Sequence, residues 1–394
     1  MRDFVKFQSN QKEVFESNLI ALFINVPAIN IVIASMIPAF SNGVMAILYL
    51  VLICLFLIDS FLHYLNRLHI ESVASAMIMF VIIIAYSFTW VRIGNQLPVY
   101  NLIIYVFLPL LVISKMDING ALVIKSCILI PALGTPFIPI VFQQNNNWIS
   151  MGLSYAFLPA VVFASAYLLT CPKKRKIITV ASLCDLIYLV LIFLYGSRGV
   201  VLSGLMATFL FWLVRKRIQH VKDPYFVIRI ICVSIVAILI IMFRWQIVYS
   251  LYDFFKGKGI TVEFFDKLIR LQKLGDIDNG RSDINRIFYA EFMKKPLLGH
   301  GIKSFQYYTG IVYPHNFVYQ MLFDIGAIGT LIIILPLFLS TIRFVRGIGY
   351  YENSTLLIAL ICASVPGALL SGDLWLNPLL WLTFSLILRQ AYRR

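Results

Sequence analysis

The stretch Tyr313-Pro314-His315-Asn316 stands where the polar segment 248–316 ends and a long apolar run begins. Pro314 presets a helical φ and suits the first turn of a helix. The pattern therefore predicts His315 in the first turn of a membrane helix, at the water interface. A helix N-terminus disfavours imidazolium, so this His is expected to stay neutral and able to accept a proton. The same position attracts anions. A general base beside an anionic substrate is the chemistry this predicts. Gly326 and Gly329 follow, spaced for close packing against a neighbouring helix.

Two arginines could hold that anion. Arg198 lies in Tyr195-Gly196-Ser197-Arg198-Gly199, which joins two apolar runs. An arginine there is costly unless it faces a polar cavity or an anion. A snorkelling interfacial Arg needs no flanking glycines, whereas close approach of backbone to ligand does. Gly280-Arg281 opens an expected helix in the polar segment, with Asp283 and Arg286 following. One loop arginine alone is an ordinary solvated charge. Two near a neutral His and a helix N-terminus would make a pyrophosphate clamp. Arg286, His300 between its two glycines, Tyr313 and Asn316 are further candidate substrate contacts. His63, one turn from Asp59, reads as a buried polar pair, and Asp185 as a packing or lining group.

These residues must be positioned by a membrane scaffold. The 394 residues are 60% hydrophobic and 13% charged, against about 25% charged in soluble domains. That composition predicts an all-α polytopic membrane protein. The net charge of +15 sits in short clusters between apolar runs. This is a topology signal, and it argues against nucleic acid as partner. Six scattered cysteines without a CxxC pair read as core packing. The polar stretch 1–17 lacks a signal-peptide pattern, so the first apolar run is expected to be retained.

About twelve spans are expected, at 18–40, 44–66, 73–93, 99–115, 120–143, 151–170, 177–195, 199–214, 227–247, 317–342, 354–371 and 374–390. Lys173-Lys174-Arg175-Lys176, Arg215-Lys216-Arg217, Arg343 with Arg346, and Arg393-Arg394 fall on one side. The intervening short loops are nearly free of basic residues. Both termini are therefore expected in the cytoplasm and 248–316 outside, between helices 9 and 10. The chain reads as one membrane domain, 1–394, with 248–316 as a loop subdomain inside it. In that loop, 249–273 reads as an amphipathic helix and 282–295 as a second helix ended by Pro296. Residues 297–301 read as a glycine-bounded turn.

No Walker motif, GxGxxG, HExxH or GxSxG appears. This disfavours nucleotide-driven chemistry and zinc proteolysis. A reaction on the outer side must then use a preactivated, membrane-borne donor.

Several ordered features resemble the O-antigen polymerase and ligase superfamily of bacterial inner membranes. They are Ser197-Arg198-Gly199, Gly280-Arg281, Lys295-Pro296-Leu297-Leu298-Gly299-His300-Gly301, and Tyr313-Pro314-His315-Asn316 followed after nine residues by Gly326-Ala327-Ile328-Gly329. One departure lies a turn after the loop arginine. Family members often carry an aromatic there, and this chain has Asn285 and Arg286.

The resemblance implies a GT-C-like glycosyltransferase acting in the periplasm without metal or cofactor, with inversion. Its donor and acceptor would be oligosaccharides on undecaprenyl pyrophosphate, with a chain-length regulator as a possible protein partner. Arg198 and Arg281 would hold the pyrophosphate, and His315 would deprotonate the acceptor hydroxyl. The Tyr313-Pro314-His315-Asn316 form and the Gly299-His300-Gly301 turn favour a polymerase of O-antigen or capsule repeats. The alternative is an O-antigen ligase that transfers the glycan to lipid A–core. A transporter or flippase would instead predict paired repeats and midplane charges, and neither is seen.

Overall fold

The computed structural model describes residues 2–36, 44–63, 70–93, 97–138, 147–170, 175–195, 198–218, 242, 244–259, 263–273, 280–348, 353–370 and 372–392. Among these, every regular element is helical. In chain order they are α1 (Arg2–Met36), α2 (Val44–His63), α3 (Ile70–Ile93), α4 (Val99–Lys115), α5 (Gly120–Gly134), α6 (Asn147–Thr170), α7 (Arg175–Tyr195) and α8 (Arg198–Ile218). Three helices belong to the polar segment: α9 (Arg244–Gly257), α10 (Glu263–Lys273) and α11 (Arg281–Phe292). After the short α12 (Phe305–Thr309) come α13 (Phe317–Arg346), α14 (Ser354–Leu370) and α15 (Pro378–Tyr392).

The protein is a multi-pass membrane protein. Among the described residues, four segments are long and apolar enough to cross a bilayer: Gln11–Ile33, Val73–Val91, Gly120–Phe137 and Phe317–Arg346. Shorter apolar helices are Ile47–Phe56, Val99–Lys115, Ser154–Thr170, Gly199–Val214 and Ser354–Leu370. The predicted segments coincide with described helices except 227–247, which lies almost wholly outside the described residues. Boundaries differ in physical detail. The first helix starts at Arg2 rather than near 18. The fourth segment is irregular, with a π turn over Ile103–Phe107 just before Pro109. Pro109 has no N–H to continue the regular ladder.

The predicted helix 249–273 is two helices, α9 and α10. The chain leaves the first at Gly257, and Gly259 has φ 71°. Similarly, α11 ends at Phe292, before Pro296.

Among the described residues the core is one large apolar cluster in the helical bundle, with a second, smaller one around Phe288, Phe305 and Phe323. Helix α6 packs on α7 and α8, α5 on α1, and α14 between α8 and α15. Tyr188 of α7 stacks on Phe157 of α6 at 4.7 Å, and its hydroxyl donates to the Pro131 carbonyl of α5 at 2.6 Å. Helix α13 packs on α3 and α15. Gly329 lies at the α3 crossing: a Cβ there would meet Val81 at 3.1 Å.

Helix α13 begins at Phe317, not at Pro314. Asn316 is the cap, its side-chain oxygen accepting from the Val318 N–H at 2.9 Å and the Tyr319 N–H at 3.4 Å. An Asn cap satisfies N–H groups that a Pro start leaves bare. His315 is thereby placed before the cap, with φ 55°, rather than in the first turn. Asn316→Ala is expected to cost about 1 kcal/mol of stability, read as a lower melting temperature of the detergent-solubilised protein.

Gly326 also departs from the sequence expectation. It is not a helix-packing position but a break in α13, with φ 68° and ψ −179°. That conformation is essentially open to glycine alone. The break removes the helical bonds that Ala327 and Ile328 would donate to Phe323 and Asp324. All four groups are satisfied instead by the segment 296–301. The N–H groups of His300 and Gly301 donate to the Phe323 and Asp324 carbonyls at 2.8 Å each. Ala327 donates to the Pro296 carbonyl at 2.8 Å and Ile328 to that of Leu297 at 3.2 Å. Gly299 must lack a side chain, since a Cβ there would lie 2.5 Å from the Gly326 nitrogen. The Pro-Leu-Leu-Gly-His-Gly and Gly-x-x-Gly stretches are thus two halves of one interlock.

Candidate active site

Helix α11 lies along the first turns of α13. Phe288 is buried between them, stacked on Tyr319 at 4.6 Å and near Phe323 at 6.4 Å. This contact brings Arg281, the first residue of α11, toward His315. Gly280 precedes it in the left-handed conformation, φ 74°, which sets the entry of the chain into the helix.

His315 is half-buried beside Tyr313, ring centroids 4.6 Å apart. Its Nδ1 is sealed from solvent and has no hydrogen-bond partner. Burial, and after it the Arg281 guanidinium, holds the imidazole below its ordinary pKa. The residue is therefore neutral near pH 7, as expected from sequence, though for a different reason. Desolvation and a neighbouring cation do the work that was expected of a helix N-terminus.

Two non-glycine residues with positive φ stand out among the described residues, His315 and Lys303 at 62°. Such backbone costs on the order of 1–3 kcal/mol and collects at functional sites. Lys303 is the anchor that sequence reasoning missed. Its ammonium pairs with Asp373, in the turn between α14 and α15. Gln320 donates to the other Asp373 oxygen at 2.9 Å, and its carbonyl accepts from the Leu374 N–H at 2.8 Å.

Beneath these lies Asp324, 0% exposed. One of its oxygens accepts from the Trp375 indole at 2.6 Å and the Lys303 N–H at 3.2 Å. The network ties together the loop after the interlock, the upper turns of α13 and the α14–α15 turn. A signal was present in sequence: Asp324 is the one charged residue between Phe317 and Ile342. A lone acid in a spanning run asks for partners.

The other candidates are distributed as follows. Arg198 is the first residue of α8, and its side chain lies outside those described. A Cβ added at Gly199 would lie 3.4 Å from Leu370 of α14 and 3.5 Å from the Tyr155 hydroxyl. These are ordinary contact distances, so packing alone does not require a glycine here. Leu370 adjoins the turn that carries Asp373, so Arg198 starts its helix at the same end of the bundle as Gln320 and His315. Arg286 is 82% exposed and pairs with Asp283 at 3.4 Å, a solvated ion pair worth little. Arg286→Ala is expected to change stability by less than about 0.5 kcal/mol, read as an unchanged melting temperature.

His300 is 3% exposed. It stacks on Phe323 at 4.5 Å, and its Nε2 lies 3.0 Å from the Glu291 carbonyl. Its ring fills the interlock. The side-chain oxygen of Asn316 is used for capping. The side chain of His63 lies outside the described residues, and Asp185 accepts from Ser165 at 3.2 Å. The expectation of metal independence passed over Asp276-Ile277-Asp278, whose spacing could serve a divalent cation. Residues 274–279 lie outside the described ones.

A family model described as O-antigen ligase (Wzy_C) matches residues 183–334, from within α7 to within α13. This span includes Arg198, Arg281, His300, His315 and both halves of the interlock. No curated protein matches the sequence. Over that span the chain is similar to the O-antigen polymerases and ligases, and the match supports that superfamily of membrane enzymes.

Proposed function

We propose that the protein is a bacterial inner-membrane glycosyltransferase that polymerises undecaprenyl-pyrophosphate-linked O-antigen or capsule repeat units at the periplasmic face. The observation that carries this reading is the juxtaposition of a neutral, half-buried His315 with the Arg281 guanidinium. His315 removes the proton of the acceptor hydroxyl as that oxygen attacks the anomeric carbon with inversion. The bond from that carbon to the diphosphate oxygen breaks, and Arg281 with Arg198 holds the departing pyrophosphate. In this reading twelve spans form a GT-C-like scaffold with both termini in the cytoplasm, and a chain-length regulator docks on it.

The description of the matching family favours a second reading, an O-antigen ligase acting on lipid A–core. A deletion strain separates the two. Loss of a polymerase leaves lipopolysaccharide with a single repeat unit. Loss of a ligase leaves bare core, with polymer retained on the lipid carrier. Activity of the purified protein is expected to survive EDTA. A loss restored by Mg²⁺ would instead give Asp276-Ile277-Asp278 a metal-binding role.

A further inference from the structure

We infer that the tip of the outer segment, residues 293–298, enters the outer leaflet of the bilayer and packs its side chains among lipid acyl chains. This goes beyond the enzymatic reading and requires that α3 and α13 span the membrane with Arg343 and Arg346 at the inner side.

Depth follows from two helices independently. Helix α13 has 30 residues, about 45 Å of helix for a hydrocarbon core of about 30 Å. Arg343 and Arg346 mark its inner end. Counting back about 20 residues from Arg343 puts the outer hydrocarbon boundary near Phe323. The tip is bonded below that level, since the Pro296 and Leu297 carbonyls accept from Ala327 and Ile328.

The length of α11 agrees. Its 12 residues extend about 18 Å, and Ile328 lies about 16 Å along α13 from Phe317. Helix α11 therefore descends beside α13 from the level of His315, and the chain turns at the tip. Helix α3 supplies the second measure. The Lys295 ammonium lies over the Phe88 ring at 5.9 Å, and Gly301 abuts Thr89. Both α3 residues fall inside the span Val73–Val91.

The side chains at the tip suit lipid. Leu297 is 60% exposed and Leu298 77%, and Met293 is exposed beside them. They continue the surface of Ile328 and Leu331, the outward apolar side chains of α13 just below. Irregular backbone survives at this depth only where protein groups satisfy it. At the tip, the Pro296 and Leu297 carbonyls accept from Ala327 and Ile328, and the Lys295 carbonyl accepts from the Gly299 N–H. Lys294 pairs with Glu291 at 2.6 Å and has the reach to keep its ammonium at the headgroups.

The test is photo-crosslinking in nanodiscs of phosphatidylethanolamine and phosphatidylglycerol. The photoreactive residue p-benzoylphenylalanine replaces Leu298, Leu297, Leu331 or Asp283, one at a time. Leu331 is the lipid reference and Asp283 the water reference. Lipid-adduct yields at Leu297 and Leu298 are expected to match Leu331 and to exceed Asp283 by about tenfold, since water excluded from the hydrocarbon cannot compete there. Yields at both tip positions equal to that at Asp283 would overturn the inference. So would crosslinks to a second protein chain. Two tip positions guard against one variant misfolding. Because glycosyl transfer is not read, the outcome is independent of the proposed enzyme activity.

Discussion

His315→Ala is expected to lower turnover of the lipid-linked substrate by about 10²–10⁴-fold, the usual contribution of a positioned general base, while the protein still folds. The residue is half-buried and its Nδ1 bonds to nothing, so truncation removes no hydrogen bond of the fold from that atom. The positive φ stays strained in the variant, since alanine is disfavoured there as well. Full activity of the purified variant would remove His315 from the mechanism.

The pH profile gives an independent check. A general base works in its neutral form, and burial followed by Arg281 holds the His315 pKa below its usual value. Activity is therefore expected to be present above the folded-state pKa and lost as pH falls through it, with the acidic limb below about 6.5. Arg281→Gln removes the cation but not the burial. The acidic limb should move upward toward the ordinary imidazole value, and donor binding should weaken. A profile unmoved by Arg281→Gln would mean that His315 is not the titrating base.

Gly326→Ala is expected to abolish the folded protein or nearly so. Alanine at φ 68°, ψ −179° carries a backbone strain on the order of 1–3 kcal/mol. The added methyl would also collide with the backbone of Leu297 and, at 2.6 Å, with the nitrogen of Gly299. Relief by returning α13 to regular helix would strand the N–H groups of His300 and Gly301 and the carbonyls of Pro296 and Leu297. Each stranded buried group costs about 1–3 kcal/mol. Gly310→Ala is the control. Gly310 has φ 73°, and a methyl added there would meet nothing within 4 Å, so the change should cost only about 1 kcal/mol of conformational strain. Size-exclusion profiles of the two variants in mild detergent make the comparison. Equal monodisperse yield would mean that the interlock contributes little to folding.

The class of molecule was legible in the sequence because hydropathy acts locally. Apolar runs and charge clusters led directly to a helical membrane protein. His315 and Arg281 were legible as candidates for chemistry because their flanking Pro, Gly and Asn residues mark turns and helix starts. Sequence and structure part where two local signals compete. Pro314 and Asn316 each propose a helix start, and only Asn316 can accept the free N–H groups of the first turn. That one difference put His315 outside the helix.

Gly326 departs from expectation for a related reason. Gly-x-x-Gly spacing fits helix packing, and Gly329 does pack on Val81. Gly326 takes its conformation from Leu297 and Gly299, more than twenty residues earlier in the chain. The same holds for the Lys303–Asp373 pair, 70 residues apart. By itself, the sequence determined which residues could move a proton or hold an anion, and that a membrane would surround them. Only the tertiary structure decided that burial and then Arg281 depress the His315 pKa, that Asp324 has partners, and that α13 can break. Those outcomes depend on which distant backbone and side-chain groups arrive to replace a helix's own hydrogen bonds, and helical periodicity carries no record of that.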